Sequence, residues 1–225
     1  MMIAKQVLRR ALLGAVVACT MIAGAAQAVT YNVDNVNLQY GFMNVFELPS
    51  NGGGYIFGSG WGIADLNASW GGSSWTFTPN TIGDPNPFWY TPSGGPGAAG
   101  NKDMDANLYA QFDGTLAGQT LTFIGNVSQY TLVAPYQCYV YIRDFAPDFS
   151  SVVETRIPMP TAGNFSVTQA LINDPARHAQ FGVGMRGPCV WATDIASKGK
   201  VVFGPQQVVP TQKTSWGRLK QLMSR

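Results

Sequence analysis

Apolar and polar residues alternate with a period of two along most of this chain, a rhythm that fits half-buried β-strands and not helices. Ala64, Leu66, Ala68 and Trp70 share one face, with Asp65, Asn67 and Ser69 on the other. Trp75 and Phe77 oppose Thr76 and Thr78, and Ala106, Leu108, Ala110 and Phe112 oppose Asn107, Tyr109 and Gln111. Further apolar faces are Leu121, Phe123 and Val127; Tyr136, Cys138, Val140 and Ile142; Phe165 and Val167; Phe181 and Val183; and Val201 and Phe203. Turn formers separate these runs: Asn51-Gly52-Gly53-Gly54, Gly71-Gly72, Asp113-Gly114, Ala162-Gly163-Asn164 and Lys198-Gly199. Eight or more short strands without crossover helices predict an all-β fold. The architecture that fits is an antiparallel two-sheet β-sandwich of jelly-roll type, each sheet burying its apolar face against the other.

The first 28 residues read as an export signal. Lys5, Arg9 and Arg10 precede an apolar run from Ala11 to Ala23, and Ala26-Gln27-Ala28 has the small-x-small form of a cleavage site. A rival processing point lies inside the leader, where Val16-Val17-Ala18-Cys19 has the form that makes Cys19 a lipidated N-terminus. The expected destination is the periplasm, the cell surface or the medium, and no later segment is long and apolar enough to span a bilayer. Removing 28 of 225 residues leaves 197, the size of one domain, with 11 Lys and Arg against 12 Asp and Glu. Four of those basic residues, Lys213, Arg218, Lys220 and Arg225, crowd the end of the chain, so the body is acidic and nucleic acid is a poor partner. Cys138 and Cys189 remain as an even pair in an oxidising compartment, for which a disulfide is the default expectation and two buried thiols the alternative.

Two segments break the alternation. Residues 80–102 are rich in Gly and Pro around an aromatic triplet, Phe88-Trp89-Tyr90, and a loop of that length in a small domain is functional or poorly ordered. From Ser215 onward, Trp216, Leu219, Leu222 and Met223 recur at helical spacing among basic residues, giving either a frayed end or a short tag that docks to another protein or an anionic surface. The expected layout is a signal peptide over 1–28, a β-sandwich over 29–210 and a basic tail over 211–225.

Several blocks carry a family resemblance: Met43-Asn44-Val45-Phe46-Glu47, Gly58-Ser59-Gly60-Trp61-Gly62-Ile63-Ala64-Asp65-Leu66, Pro79-Asn80-Thr81-Ile82-Gly83-Asp84 and Gly100-Asn101-Lys102. Leu116 to Phe123, Arg143-Asp144-Phe145-Ala146-Pro147-Asp148-Phe149-Ser150-Ser151, and Pro175-Ala176-Arg177-His178 through Val190-Trp191-Ala192-Thr193-Asp194 extend it over nearly the whole chain after the leader. Together they resemble exported bacterial β-sandwich proteins of the PEP-CTERM, exosortase-associated type, which look like carbohydrate-binding modules. Many of those proteins end in a Pro-Glu-Pro signal, an apolar helix and a basic tail, whereas this chain ends in Val209-Pro210-Thr211 and a short basic segment. The resemblance implies a sandwich fold and an association with glycans or the cell surface. It supplies no catalytic residues.

Candidate chemistry is sparse. A Ser-His-Asp hydrolase needs a histidine beside a nucleophile, and the single histidine, His178, has no nucleophile-elbow sequence near it and reads as a strand-entry residue bonded to backbone. One histidine and two cysteines do not make a zinc site. A glycosidase needs two facing carboxyl groups, and the chain has two Glu, Glu47 and Glu154, with ten Asp mostly in turn contexts. The resemblance implies a structural calcium held by a carboxylate near the first strand and another near the last, for which Glu47 and Asp194 are the candidates, a pair of unliganded surface carboxylates being the alternative. Sugar binding needs an exposed aromatic face and hydrogen-bonding groups beside it. Trp61, Trp89 and Tyr90, with Asn101 and Asp103, are the candidates; the polar strand faces Asn107, Tyr109, Gln111 and Tyr139, Tyr141, Arg143 form a second surface. The expected role is a non-catalytic module for carbohydrate or for cell-surface and matrix association. A self-associating envelope or biofilm protein and a glycan-active hydrolase are the other two readings. Asn67, Asn126 and Asn164 also fit the glycosylation sequon.

Overall fold

The computed structural model of the protein describes residues 27–159 and 161–206. Most of the predicted leader, Cys19 and the basic tail 211–225 lie outside the described residues. Strands are numbered in chain order. One sheet holds β1 (Ala28–Asn32), β4 (Ala68–Gly71), β5 (Ser74–Phe77), β9 (Thr120–Tyr130), β12 (Gly163–Ala170) and β14 (Val201–Gly204). The other holds β2 (Tyr40–Glu47), β3 (Tyr55–Gly60), β8 (Lys102–Asp113), β10 (Gln137–Phe145), β11 (Val152–Pro158) and β13 (His178–Pro188). A short pair, β6 (Tyr90–Thr91) with β7 (Ala99–Gly100), braces the Gly- and Pro-rich segment.

The predicted all-β character holds, and with one exception the ladders are antiparallel. β1 runs parallel to β9 over Thr120–Ile124, so the first sheet is mixed and not purely antiparallel. β9 is long enough to pair with two strands end to end on one side, β1 and then β14, while β12 takes its other side. The second sheet has the order β11-β10-β13-β8-β2-β3 and is antiparallel throughout. The alternation over residues 64–67 also gives no strand: the amides of Leu66 and Ala68 close a turn onto the carbonyls of Gly62 and Ile63. Asn67 there takes a left-handed φ of 57°, and its side-chain amide reaches the Pro79 carbonyl at 2.7 Å.

The inward rows of both sheets meet in a single hydrophobic cluster. Phe123 of the first sheet packs on Phe181 of the second, ring centroids 4.8 Å apart, and Tyr31 stacks on Phe181 at 4.9 Å. Leu108, Val140, Phe181 and Val183 are completely buried, each adding about 1.5–3 kcal/mol of transfer free energy.

The expected disulfide is not present: Cys138 and Cys189 are both free and buried. Register gives the reason. Cys138 stands opposite Met185, and Cys189 lies four residues farther along the same chain direction, with its amide on the Lys102 carbonyl. Four residues of extended chain is roughly 13 Å, far beyond the ~4.4–6.8 Å between Cα atoms that a disulfide requires. Burial pushes the Cys138 thiol up to about 12, which keeps it protonated and inert.

Candidate binding groove

The outward face of the second sheet combines depth with polar chemistry. It is built on glycines. In β13 the outward positions include Gly182 and Gly184, and a Cβ on Gly184 would sit 2.1 Å from Cζ of Tyr139. Tyr139 of β10 therefore lies flat across β13 and brings its hydroxyl to the Asp105 carboxylate of β8. In the next row Tyr141, Gly182 and Tyr109 stand in register, and Tyr141 is fully buried with no partner for its hydroxyl among the described residues. Where a sheet face would otherwise carry upright side chains, these rings form a low floor.

Two arginines cover that floor, and a third lies against the β2 side of the groove. The guanidinium of Arg143 lies 3.8 Å from the Tyr141 centroid, that of Arg156 4.0 Å from Tyr139, and that of Arg186 4.2 Å from Phe46. Each is anchored to an acid. Arg143 and Arg156 share Glu154, the latter at 2.7 Å, and Arg186 binds Asp103 at 2.7 Å. Arg143 also donates to Asn107 Oδ1 at 3.0 Å, and Gln180 donates to Gln111 at 2.8 Å. Partial burial opposes the charge of Glu154, but its hydrogen bonds from Arg156 and Arg143 outweigh that and hold its carboxyl below the usual range. Burial, reinforced by Asp105, raises the Tyr139 phenol well above its ordinary value, so the floor is uncharged tyrosine.

Raised strands wall the groove on both sides. A depression of about 650 Å³ is bounded by Phe42, Asn44 and Phe46 of β2 on one side and by Phe145, Phe149 and Val152 on the other. A second, of about 530 Å³, continues past Arg156 between Asp103, Gln137, Tyr139 and Arg186. The floor follows β8 from Asp103 to Gln111, a run of roughly 26 Å. Three carboxylates (Asp103, Asp105 and Glu154) balance three guanidiniums, so the groove is polar, aromatic-lined and neutral in sum.

The five residues expected to bind sugar are scattered. Trp61 is half-buried against the core, donates to Ser59 Oγ at 2.9 Å and borders a separate open hollow with Asp65, Asn67 and Thr81. Trp89 packs edge-on against Phe88 at 4.6 Å and Phe57 at 6.3 Å. Tyr90 is not an exposed aromatic but a completely buried one. Its hydroxyl donates to the Ile82 carbonyl at 2.6 Å and accepts from Ile82 N–H and from the Cys189 thiol, pinning the long segment to the core. Asn101 spends its side-chain amide on the Pro87 and Phe88 carbonyls. Asp103 alone lies in the groove. The two calcium candidates have different partners: Glu47 pairs with Lys102 at 3.2 Å, and Asp194 accepts the Gly97 amide at 2.6 Å. Among the described residues no three His, Cys, Asp or Glu side chains cluster as a metal site.

The second surface expected from the strand faces, Asn107, Tyr109, Gln111, Tyr139, Tyr141 and Arg143, is the groove itself. Phe42, Phe46, Asp105, Phe149, Arg156 and Arg186 complete it without having been singled out from the sequence, together with Glu154, which the sequence offered only as one of two glutamates weighed for a glycosidase. The alternating glycines of Gly182-Val183-Gly184 were the signal, since a strand gives up side chains only where something lies over it. Comparison with protein-family models, with curated proteins and with solved structures finds no match to this chain.

Proposed function

We propose that the protein is an exported β-sandwich module of jelly-roll type that binds carbohydrate without transforming it, and that the glycan lies in the groove of the second sheet. The observation that carries this reading is the floor of tyrosines under anchored guanidiniums. The guanidinium planes held flat over those buried rings, with the Phe42, Phe46, Tyr109 and Phe149 rings around them, offer flat surface for sugar ring faces and fixed hydrogen-bonding groups for hydroxyls, with no net field favouring a charged ligand. The groove is open along its length, which suits an internal stretch of a linear chain. The resemblance to exported proteins that look like carbohydrate-binding modules supports the same reading. Hydrolysis is disfavoured because Glu154, held ionised by two arginines, is a poor proton donor to a leaving group.

A glycan array with the wild-type protein and the Phe46→Ala and Arg156→Ala variants tests it. Saturable hits that both substitutions abolish are expected, and hits that survive both would move the site elsewhere.

The second reading, self-association in an envelope or matrix, draws on a different observation. None of the six strands of the first sheet contains an Asp, Glu, Lys or Arg, and its edge strand β12 has neither proline nor lysine to discourage pairing. Light scattering across a concentration series separates the readings, since self-association predicts a mass that grows with concentration.

A further inference from the structure

Phe149 stands at one end of the groove, on the turn between β10 and β11, and is 50% exposed. Its backbone sits at φ 58°, a left-handed conformation that a bulky side chain adopts only when its surroundings hold it there. Its N–H closes onto the Ala146 carbonyl at 2.9 Å, its ring meets Phe145 at 5.5 Å, and one face lies on the His178 imidazole at 4.3 Å and 6°. His178 is held by both of its nitrogens, Nδ1 at 2.7 Å from Asp113 Oδ1 and Nε2 at 3.2 Å from the Pro147 carbonyl of the same turn. Both partners are acceptors. A neutral imidazole has one N–H and satisfies one of them, whereas the imidazolium donates to both.

We propose that Phe149 is the stacking platform that selects for a flat apolar sugar face at this end of the groove, and that His178 is its positioning residue, clamping the turn when protonated and releasing it when neutral. The selection step rests on the glycan-binding reading; the clamp stands without it. Asp113 supplies the charge bonded to the ring. Of the other charged groups around it, Asp148 is bonded to the Ser150 amide and hydroxyl, Asp144 pairs with Arg177, and Arg143 pairs with Glu154. The Asp113 hydrogen bond, against partial burial and with help from the Pro147 carbonyl, raises His178 above its ordinary 6.5, and the same bond holds Asp113 below its own ordinary value. Asp113 therefore stays ionised while His178 titrates. Because the folded value is the raised one, the clamp is complete below 6.5 and is lost as pH rises through the folded value.

NMR without ligand tests the clamp. In the wild type, the amides of residues 145–151 are expected to shift with the His178 ring at one common midpoint above 6.5. His178→Gln removes that transition and Asp113→Asn lowers its midpoint. Turn amides that stay still while the ring titrates would overturn the clamp. Electrophoresis in native gels cast with hydroxyethylcellulose, xylan or galactan tests the selection. Retention about threefold stronger at mildly acid than at alkaline pH is expected, the modest size reflecting the exposure of the pair. His178→Gln abolishes that pH response, and Phe149→Ala weakens retention at every pH. Unchanged retention in Phe149→Ala, or a pH response that persists in His178→Gln, would overturn the selection. Absence of any retention overturns the glycan reading and with it the selection step, leaving the NMR result to decide the clamp.

Discussion

Gly184 is the position where a single methyl group should undo the groove. An added Cβ would lie 2.1 Å from Tyr139 Cζ and 2.4 Å from its hydroxyl oxygen, inside any real contact distance. The ring cannot slide aside freely, because Arg156 covers it and its hydroxyl is bound to Asp105. Overpacking of this kind costs about 1–3 kcal/mol. Displacing the ring also breaks a hydrogen bond to a buried carboxylate, roughly 1.5–3 kcal/mol more. Alanine in place of glycine returns about 0.5–1 kcal/mol of backbone entropy. Gly184→Ala should therefore destabilise the protein by about 3 kcal/mol in urea unfolding, with an unchanged m-value. The decisive comparison is the same substitution in a Tyr139→Ala background. There the obstacle is gone and Gly184→Ala should be neutral or slightly stabilising, a coupling of about 3 kcal/mol across the cycle. Gly71→Ala, in a strand with open space where its Cβ would go, serves as the control and should change stability by less than about 0.5 kcal/mol. Equal costs of Gly184→Ala in the two backgrounds would refute the idea that the glycine exists to let the ring lie down.

Three further outcomes are expected. Native protein should resist thiol alkylation and take up label at both Cys138 and Cys189 once unfolded, without prior reduction; a mass two hydrogens lighter in native material would contradict the free, buried thiols. Tyr90→Phe should cost about 1–2 kcal/mol in thermal or urea unfolding, because the Ile82 amide loses its acceptor and the Ile82 carbonyl its donor inside the core; a neutral result would mean that another group anchors the segment. Glu154 is depressed below its ordinary 4.5, so its contribution to stability is present above that value and fades as pH falls through the lower folded one. Glu154→Gln should thus lower stability at neutral pH and flatten the loss on acidification, and a parallel acid profile in the variant would refute the shift.

The period of two was enough to place most strands and to name the face on which Asn107, Tyr109, Gln111, Tyr139, Tyr141 and Arg143 meet. It could not tell that this face is buried. Alternation reports which side chains share a face, whereas Asp103, Asp105 and Asn107 are covered by groups from β10, β11 and β13 that are distant in sequence. The parallel pairing of β1 was equally hidden, since a five-residue strand has the same pattern in either direction. Proximity to glycines and a long loop drew attention to Trp61, Trp89 and Tyr90, yet the loop is ordered by Tyr90 itself, which turns inward to satisfy Ile82 and Cys189. Phe149 offered no periodic signal, because it sits in a turn whose geometry depends on His178, nearly thirty residues later.

The groove assignment is tested most directly by nitrogen-edited spectra of the protein titrated with an oligosaccharide of whichever glycan it retains. The side-chain Nε–H signals of Arg143, Arg156 and Arg186 report on the groove, and the indole signals of Trp61 and Trp89 report on the alternative surfaces. Saturable movement of the three arginine signals with still indoles is the expected result. Movement of either indole while the arginines remain in place would put the ligand outside the groove.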